Sequence, residues 1–285
     1  MNEAVCLLIY AAVTASLIPL GLPRLTRAGR SPRLGIAAWL GAAASVLVAA
    51  AWAAGRAILL GTSWPLRLAA VGALTTLACR VAWSAIAIVR ESRSRRHRHR
   101  DGLLLLGAPD ADLGALVVDA PQPMAYCLPG RDGLVVVTSG ARAALTAAQL
   151  RAVLAHERGH LAGHHHVALA AAYALARIVP WLPLFAQLRT HVPMLLEMRA
   201  DDLAARAHGR AEVAHAIDAM ARTPAPAGSF GVGGPSVHLR VRRLRRTVPQ
   251  WRLGLTAIIT AIIVAALSAG PFLATVDPWC EHLHL

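Results

Sequence analysis

Four long apolar stretches constrain this chain more than any other feature. They cover about residues 4–22, 34–55, 66–89 and 253–275. Only Arg67 and Arg80, both in the third stretch, carry charge. Each stretch is close to the roughly 20 residues that a helix needs to cross a bilayer. The chain is also 56% hydrophobic and only 15% charged, which is unusual for a soluble domain. The sequence therefore predicts a mostly α-helical membrane protein with four transmembrane helices.

The first apolar stretch could be a cleaved signal peptide or a retained anchor. A signal peptide opens with basic residues, whereas the segment before this stretch, Met1-Asn2-Glu3, has none. The apolar run is also longer than a usual signal core. We therefore expect it to remain as a transmembrane helix.

The formal net charge of +14 comes from arginine, because the chain contains no lysine. Sixteen arginines flank the apolar stretches in three clusters: Arg24, Arg27, Arg30 and Arg33; Arg90, Arg93, Arg95, Arg96, Arg98 and Arg100; and Arg240, Arg242, Arg243, Arg245, Arg246 and Arg252. This location favours the positive-inside rule and attraction to the anionic lipid bilayer over direct binding of nucleic acid.

The arginine clusters predict one orientation in the cell membrane. Residues 1–90 would hold three transmembrane helices, with the N-terminus outside. Residues 91–251 would form a cytoplasmic domain. Residues 252–285 would add the fourth transmembrane helix and a short external tail. The intramembrane Arg80 has no role that the sequence can assign. The four cysteines lie far apart, which predicts no disulfide framework.

Short apolar runs open the predicted cytoplasmic domain. They indicate strands at about residues 103–106, 115–119, 124–130 and 133–140, separated by Gly, Pro and Asp. The segment 131–133 between the last two runs is typical of a hairpin turn. The domain should therefore begin with a small sheet.

Helical patterns follow this sheet. Thr146 and Gln149 match a capping box at the start of a helix with one apolar stripe. Residues 167–188 are apolar but interrupted, and we expect a helix against the bilayer or the domain core rather than a fifth span. A further helix is predicted over 193–209, between Pro193 and Gly209. Residues 223–236 are rich in Gly, Pro and Ser, which predicts a mobile loop.

The capped helix contains the sequence HERGH, which matches H-E-x-x-H. The i, i+4 spacing places His156 and His160 on one side of the helix, where two imidazoles can bind one zinc ion. Glu157 then lies where a carboxylate can take a proton from water as it attacks a carbonyl. The pattern predicts zinc-dependent hydrolysis, and a histidine-rich surface helix is the alternative.

Two residues compete to be the third protein ligand. The run HERGHLAGHHH fits the longer pattern H-E-x-x-H-x-x-G-x-x-H, which would make His166 the ligand. Glu197 on the later helix would instead complete a His, His, Glu set.

A charge argument favours Glu197. Glu197 and Asp201 are four residues apart, and like charges at that spacing destabilise a helix. Neither has a basic residue three or four positions away, whereas Asp202 has Arg206 four residues on. We therefore expect an external cation at Glu197, with Asp201 holding a ligand imidazole.

Several segments together resemble the BlaR/MecR-type integral-membrane zinc metallopeptidases: AYCLPG and GLVVVTSG, LAHERGH, EMRAD, and RVRRLRR before a last apolar stretch. The resemblance implies a cytoplasmic α+β gluzincin domain that binds one zinc ion per chain. It implies His156, His160 and Glu197 as zinc ligands, Glu157 as the general base and Asp201 as the residue that orients a ligand histidine. It does not extend to the extracellular penicillin-binding sensor domain of the antibiotic-sensing members.

The resemblance also implies the substrate class, a cytoplasmic protein such as a transcription repressor, cut when a signal arrives. Such enzymes tend to bind an extended peptide along an edge strand. The candidate strand is formed by Met124, Ala125, Tyr126, Cys127 and Leu128, because the following Pro129 fits an edge. The alternatives are housekeeping turnover of membrane proteins and a non-catalytic signalling or scaffold protein with the same fold.

Overall fold

The structure is a computed structural model that describes residues 3–61, 63–130, 133–221, 236–246 and 250–276. The helices in these residues are α1 (Glu3–Thr26), α2 (Pro32–Leu60), α3 (Trp64–Leu106), α4 (Ser139–Ala144), α5 (Ala147–Ala162), α6 (His165–Ile178), α7 (Pro183–His208), α8 (Arg210–Ala221), α9 (Val237–Arg245) and α10 (Gln250–Val276). The strands are β1 (Gly107–Asp110), β2 (Ala115–Val118), β3 (Ala125–Leu128) and β4 (Leu134–Thr138). The protein is mostly helical with a small mixed sheet, which confirms the predicted fold class.

Among the described residues, four helical segments are long and apolar enough to cross a membrane. They are α1, α2, the Trp64–Glu91 part of α3 and the Gly254–Leu273 part of α10. They coincide with the four apolar stretches of the sequence and indicate a membrane protein. Residues 167–188 contribute to α6 and α7, and neither helix is among these four.

The chain divides into two compact units. The apolar unit comprises Met1–Val89, Ala170–Pro193 and Gln250–Leu285, and the sheet unit comprises Arg90–Leu169 and Met194–Pro249. Residues 170–193 therefore group with the apolar helices, whereas the sequence placed them inside the domain 91–251. A hydrogen bond from Ser84 Oγ to the Ala174 carbonyl, 2.7 Å long, helps to hold them there.

Polar contacts join the helices of the apolar unit. The Tyr10 hydroxyl lies 3.2 Å from Ser45 Oγ and 3.0 Å from the Leu267 carbonyl oxygen, so that it links α1 to both α2 and α10. The buried Trp39 indole donates to Thr26 Oγ1 at 3.3 Å.

Cys6 is disulfide-bonded, which corrects the expectation drawn from the wide spacing of the cysteines. Separation along the chain does not measure separation in space.

Arg80 also has partners within the apolar unit. Its Nε donates to the Ile178 carbonyl at 2.6 Å, and its guanidinium carbon lies 5.2 Å from the centroid of the Trp181 ring. Ile178 ends α6, so Arg80 satisfies a carbonyl that has no partner within its own helix. Arg80 therefore links α3 to the end of α6.

The sheet has the strand order β1-β2-β4-β3, with β2 and β4 parallel and the other pairs antiparallel. Leu128 opposes Leu134, so β3 and β4 form the predicted hairpin, while residues 131–132 of its turn lie outside the described residues. The predicted strand at 103–106 is wrong, because these residues end α3. Leucine favours helices, and Leu103 packs from the helix against Leu116 and Val136 of the sheet.

The helices α5 and α7 position the histidine motif. The predicted capping box is present at Thr146 and Gln149. The predicted start of α7 at Pro193 is wrong, since the helix begins at Pro183 and contains Pro193. Its predicted end is right: Gly209 follows with a φ of 81°. The predicted loop at 223–236 falls almost wholly outside the described residues.

A close approach of α5 to α7 depends on Gly159. A Cβ placed on this residue would lie 3.3 Å from Leu203 Cδ1, which is tighter than ordinary packing. Because Gly159 has no side chain, α5 and α7 can pack closely at the helical turn between His156 and His160.

Candidate metal centre

Three predicted ligands meet where α5 passes α7. His156 Nε2 lies 3.2 Å from His160 Nε2 and 3.4 Å from Glu197 Oε2. His160 Nε2 lies 3.3 Å from Glu197 Oε1. These three residues form the candidate metal group among the residues that the structure describes.

The separations of these donor atoms fit zinc. Zinc forms bonds of about 2.0–2.1 Å to imidazole nitrogen and carboxylate oxygen in a tetrahedral arrangement, so two ligand atoms of one site are about 3.3–3.4 Å apart. The observed 3.2, 3.4 and 3.3 Å are close to that length, although Glu197 turns Oε2 toward His156 and Oε1 toward His160. The two histidines also turn their Nε2 atoms toward each other. A hydrogen bond between these atoms requires that one Nε2 carries a hydrogen and the other does not. The donor set therefore suits a metal ion.

The other nitrogen of each histidine ring has its own partner. His156 Nδ1 lies 3.0 Å from Asp201 Oδ1, although the direction of the N–H bond falls outside the range of a regular hydrogen bond. His160 Nδ1 lies 3.0 Å from His165 Nδ1. Contacts of this kind fix ring orientation and leave Nε2 of each ring for a metal. Asp201 therefore lies beside the ring that it was predicted to orient, and the sequence did not predict the contact of His165.

Arg240 on α9 binds both acidic residues of α7. Its Nη1 lies 2.9 Å from Glu197 Oε2, while Nε and Nη2 donate to Asp201 at 2.8 and 2.6 Å. The side chains of Arg240 and Asp201 are 2% and 0% exposed, so the pair is buried. This contact corrects the inference that the acidic pair lacks a cation within the chain. Arg240 lies on α9, so a comparison of residues three or four positions apart on α7 does not include it.

Two more arginines of α9 form ion pairs within the sheet unit. Arg243 Nη2 donates to both carboxylate oxygens of Asp202, at 2.7 and 2.8 Å, and Arg245 pairs with Asp218. Asp202 therefore pairs with Arg243, whereas its helical spacing predicts a pair with Arg206. The cluster at 240–246 serves the domain itself, which weakens its use as a marker of membrane sidedness.

The three consecutive histidines after α5 have different surroundings. His164 adopts a φ of 48° in the turn between α5 and α6, and this turn places His165 beside His160. Burial lowers the pKa of His165 to about 4, with a contribution from His160. His165 is therefore neutral at pH 7 and can accept a hydrogen bond. His166, the alternative ligand, is not part of the metal group that the described residues form.

Glu157 occupies a buried position next to the edge strand. It is 6% exposed, and burial raises its pKa above the usual carboxylate range. The Cys127 thiol of β3 contacts the Glu157 carboxylate, and burial together with that negative charge raises the pKa of the thiol. The predicted base and the predicted substrate strand are therefore neighbours.

Contacts with Arg240 and the histidines keep both acidic residues of α7 ionised. Burial opposes ionisation of Glu197, but its contacts with His156, His160 and Arg240 hold the pKa well below the usual value. Burial likewise opposes ionisation of Asp201, and Arg240 lowers its pKa to about 2. Both carboxylates are ionised at neutral pH, as a metal ligand and a partner of a ligand histidine must be.

Comparison with known proteins bears on part of the sheet unit and on residues 170–192 of the apolar unit. Residues 103–192 match the sequence profile of peptidase family M48, a family of zinc metallopeptidases. The match includes the H-E-x-x-H helix and ends before Glu197 and Asp201. It supports a metalloprotease, which is the coarser part of what the resemblance had implied. No curated protein and no solved structure matches the chain.

The sequence contains one signal that could have identified Arg240. The buried residues of α9 are Val237, Arg240, Val241 and Leu244, at the i, i+3, i+4 and i+7 spacing of one helix face. An arginine on an apolar stripe is expected to have a buried partner. No comparable signal distinguishes His165 from its neighbours, because the turn at His164 decides which histidine faces the site.

Proposed function

We propose that this chain is an integral-membrane zinc metalloendopeptidase of the gluzincin type, with His156, His160 and Glu197 as ligands. The observation that carries the proposal is that donor atoms of His156, His160 and Glu197 lie 3.2–3.4 Å apart, close enough to bind one zinc ion. The metallopeptidase family match over residues 103–192 supports the same activity.

The chain supplies the proton transfer and the orientation of the ligands. Bound zinc would provide Lewis-acid activation of water and of the substrate carbonyl. The Glu157 carboxylate takes the proton from the attacking water and passes it to the leaving amine. Its raised pKa suits both steps, because a base with a pKa closer to the working pH also returns the proton readily. Asp201 and His165 hold the two ligand rings, and Arg240 holds Asp201.

The substrate peptide would add to the sheet as an extended strand along β3. In the described sheet β3 pairs only with β4, so its other side is available for main-chain hydrogen bonds. Both backbone groups of Met124 already bond to Thr138. Tyr126 and Leu128 turn their backbone groups to β4 in the same way, so pairing with substrate would use the backbone groups of Ala125 and Cys127, next to Glu157.

The sheet unit would lie in the cytoplasm, with the N-terminus and C-terminus outside. The arginines between α1 and α2 and those after the third apolar segment support this orientation. The disulfide at Cys6, near the start of α1, also supports it, because disulfides persist on the oxidising side of the cell membrane. A reporter active only outside should work when fused after Leu285 and fail at Arg100 or Gly228. Activity at Gly228 would reverse the orientation.

The substrate would be a soluble cytoplasmic regulator of the transcription-repressor class, cut in response to a signal. The likeness of the segments around HERGH and EMRAD to BlaR/MecR-type peptidases supports this choice. Cleavage of such a regulator would make the protein a component of signal transduction. The stimulus would reach the enzyme through the apolar helices, their short outer loops or a partner protein.

The test compares the peptides and proteins of cells that carry the wild type or Glu157→Gln, with Glu212→Gln as a matched control outside the site. We expect a soluble regulator to be full-length in Glu157→Gln cells and shortened in wild-type and Glu212→Gln cells. Accumulation of membrane-embedded proteins, with no regulator of changed length, would favour housekeeping turnover. Identical profiles in all three strains would favour a non-catalytic protein.

A further inference from the structure

A cavity of about 340 Å³ opens in the apolar unit between the end of α1, the loop that follows it and α10. Its lining residues are Arg24, Leu25, Ala28, Arg30, Leu255, Thr256 and Ile259. Two arginines therefore face a cavity whose other residues are apolar, apart from one threonine hydroxyl. The lining contains no acidic residue.

The two arginines are without counter-charges among the described residues. Arg24 and Arg30 are exposed, and neither forms an ion pair with a described carboxylate. Arg30 Nη1 donates a hydrogen bond of 3.2 Å to Thr256 Oγ1, which holds the guanidinium against α10. In contrast, Arg56 of α2 pairs with Glu3 at 2.6 Å. The cavity thus keeps two positive charges and most of their hydrogen-bond donors available for an anion.

The cavity lies at the boundary of the segments that can span a membrane. Arg24 is in the last turn of α1, and Thr256 is two residues inside the apolar segment Gly254–Leu273. Lipid headgroups occupy this level of a bilayer. Leu255 and Ile259, which are 51% and 39% exposed, present apolar surface on the same helix, where acyl chains would lie.

We propose that this cavity binds the headgroup phosphate of an anionic phospholipid. Arginine binds phosphate oxygens through paired N–H donors, and basic pockets between transmembrane helices favour anionic headgroups. The acyl chains would lie along Leu255 and Ile259. Binding here requires no hydrolytic activity, so the inference is independent of the proposed peptidase function.

The test is native mass spectrometry of the full-length protein in detergent, titrated with phosphatidylglycerol, with phosphatidylcholine and with inorganic phosphate. The variant Arg24→Gln/Arg30→Gln removes both charges, and Arg33→Gln is a matched control from the same loop, because Arg33 does not line the cavity. Ile259→Trp fills the cavity without a change in charge. Circular dichroism before lipid is added checks that each variant is folded.

We expect phosphatidylglycerol to bind the double variant roughly 25-fold more weakly than the wild type, about fivefold for each arginine. Ile259→Trp should also weaken binding, and Arg33→Gln should change it by less than about twofold. Three results would overturn the proposal: equal binding of phosphatidylcholine, unchanged affinity in the double variant, or displacement of the lipid by inorganic phosphate at an equal concentration. The last result would indicate a site for free phosphate.

Discussion

Arg240 donates from Nε and Nη2 to both carboxylate oxygens of Asp201, at 2.8 and 2.6 Å, although 39 residues separate the two in the chain. Asp201 in turn lies 3.0 Å from Nδ1 of His156. A buried arginine on α9 therefore supports a histidine on α5 through a carboxylate on α7. The candidate metal centre depends on three helices and not on the H-E-x-x-H helix alone.

Removal of Arg240 should destabilise the sheet unit. Arg240→Met leaves Asp201 buried without its cation, and breaking a buried pair in this way costs about 3–5 kcal/mol. We expect a lower temperature of thermal unfolding and faster limited proteolysis. Arg242→Met, on the exposed side of the same helix, is the control and should stay close to wild type. Equal stability of the two variants would show that the buried pair contributes little.

Acid should weaken the same pair. Arg240 lowers the pKa of Asp201 from 3.8 to about 2 in the folded protein. Since the folded-state pKa lies below the unfolded value, the stabilisation is complete above about pH 4 and is lost as the pH falls toward 2. Unfolding measured between pH 5 and pH 2 should therefore depend less steeply on pH in Asp201→Asn than in wild type. Parallel curves would contradict a role for Asp201 in this acid sensitivity.

The identity of the third ligand can be decided by zinc affinity. Because Glu197 lies 3.3–3.4 Å from both ligand nitrogens, Glu197→Ala should lower zinc affinity far more than His166→Ala. Isothermal titration of zinc into metal-free protein measures both. Loss of zinc in His166→Ala, with binding intact in Glu197→Ala, would establish the longer histidine pattern instead.

The partners of the ligand rings should have a smaller effect. Asp201→Ala and His165→Ala each remove the contact to Nδ1 of a ligand histidine, and loss of such a contact costs about 10- to 100-fold in metal affinity. The same titration should rank both variants between wild type and Glu197→Ala. His165→Ala with wild-type affinity would mean that the 3.0 Å contact to His160 does not orient the ring.

The sequence predicted the parts of this structure that depend on local pattern. The apolar stretches, the capping box at Thr146, the hairpin and the end of α7 at Gly209 follow from periodicity and turn chemistry. The grouping of His156, His160 and Glu197 was also predicted, the two histidines from their motif spacing, whereas the charge argument for Glu197 overlooked its contact with Arg240.

Contacts between distant segments could not be predicted in the same way. Comparison of charges three or four residues apart covers one helix only, so it assigned Asp202 to Arg206 and found no partner for Asp201. Both partners, Arg243 and Arg240, come from α9. The four leucines at 103–106 fit a short strand and a helix end equally well, so their pattern alone does not distinguish the two. In each case tertiary packing decides.

The most direct test of the account measures zinc content and peptide hydrolysis together, in wild type and Glu157→Gln purified in detergent. Elemental analysis should find about one zinc per chain in both proteins, because Glu157 is not a ligand. Wild type should cleave an unfolded protein substrate, and Glu157→Gln should have lost that activity by at least about 100-fold, since it cannot accept the proton. Full activity in zinc-loaded Glu157→Gln, or wild type that binds no zinc, would contradict the account.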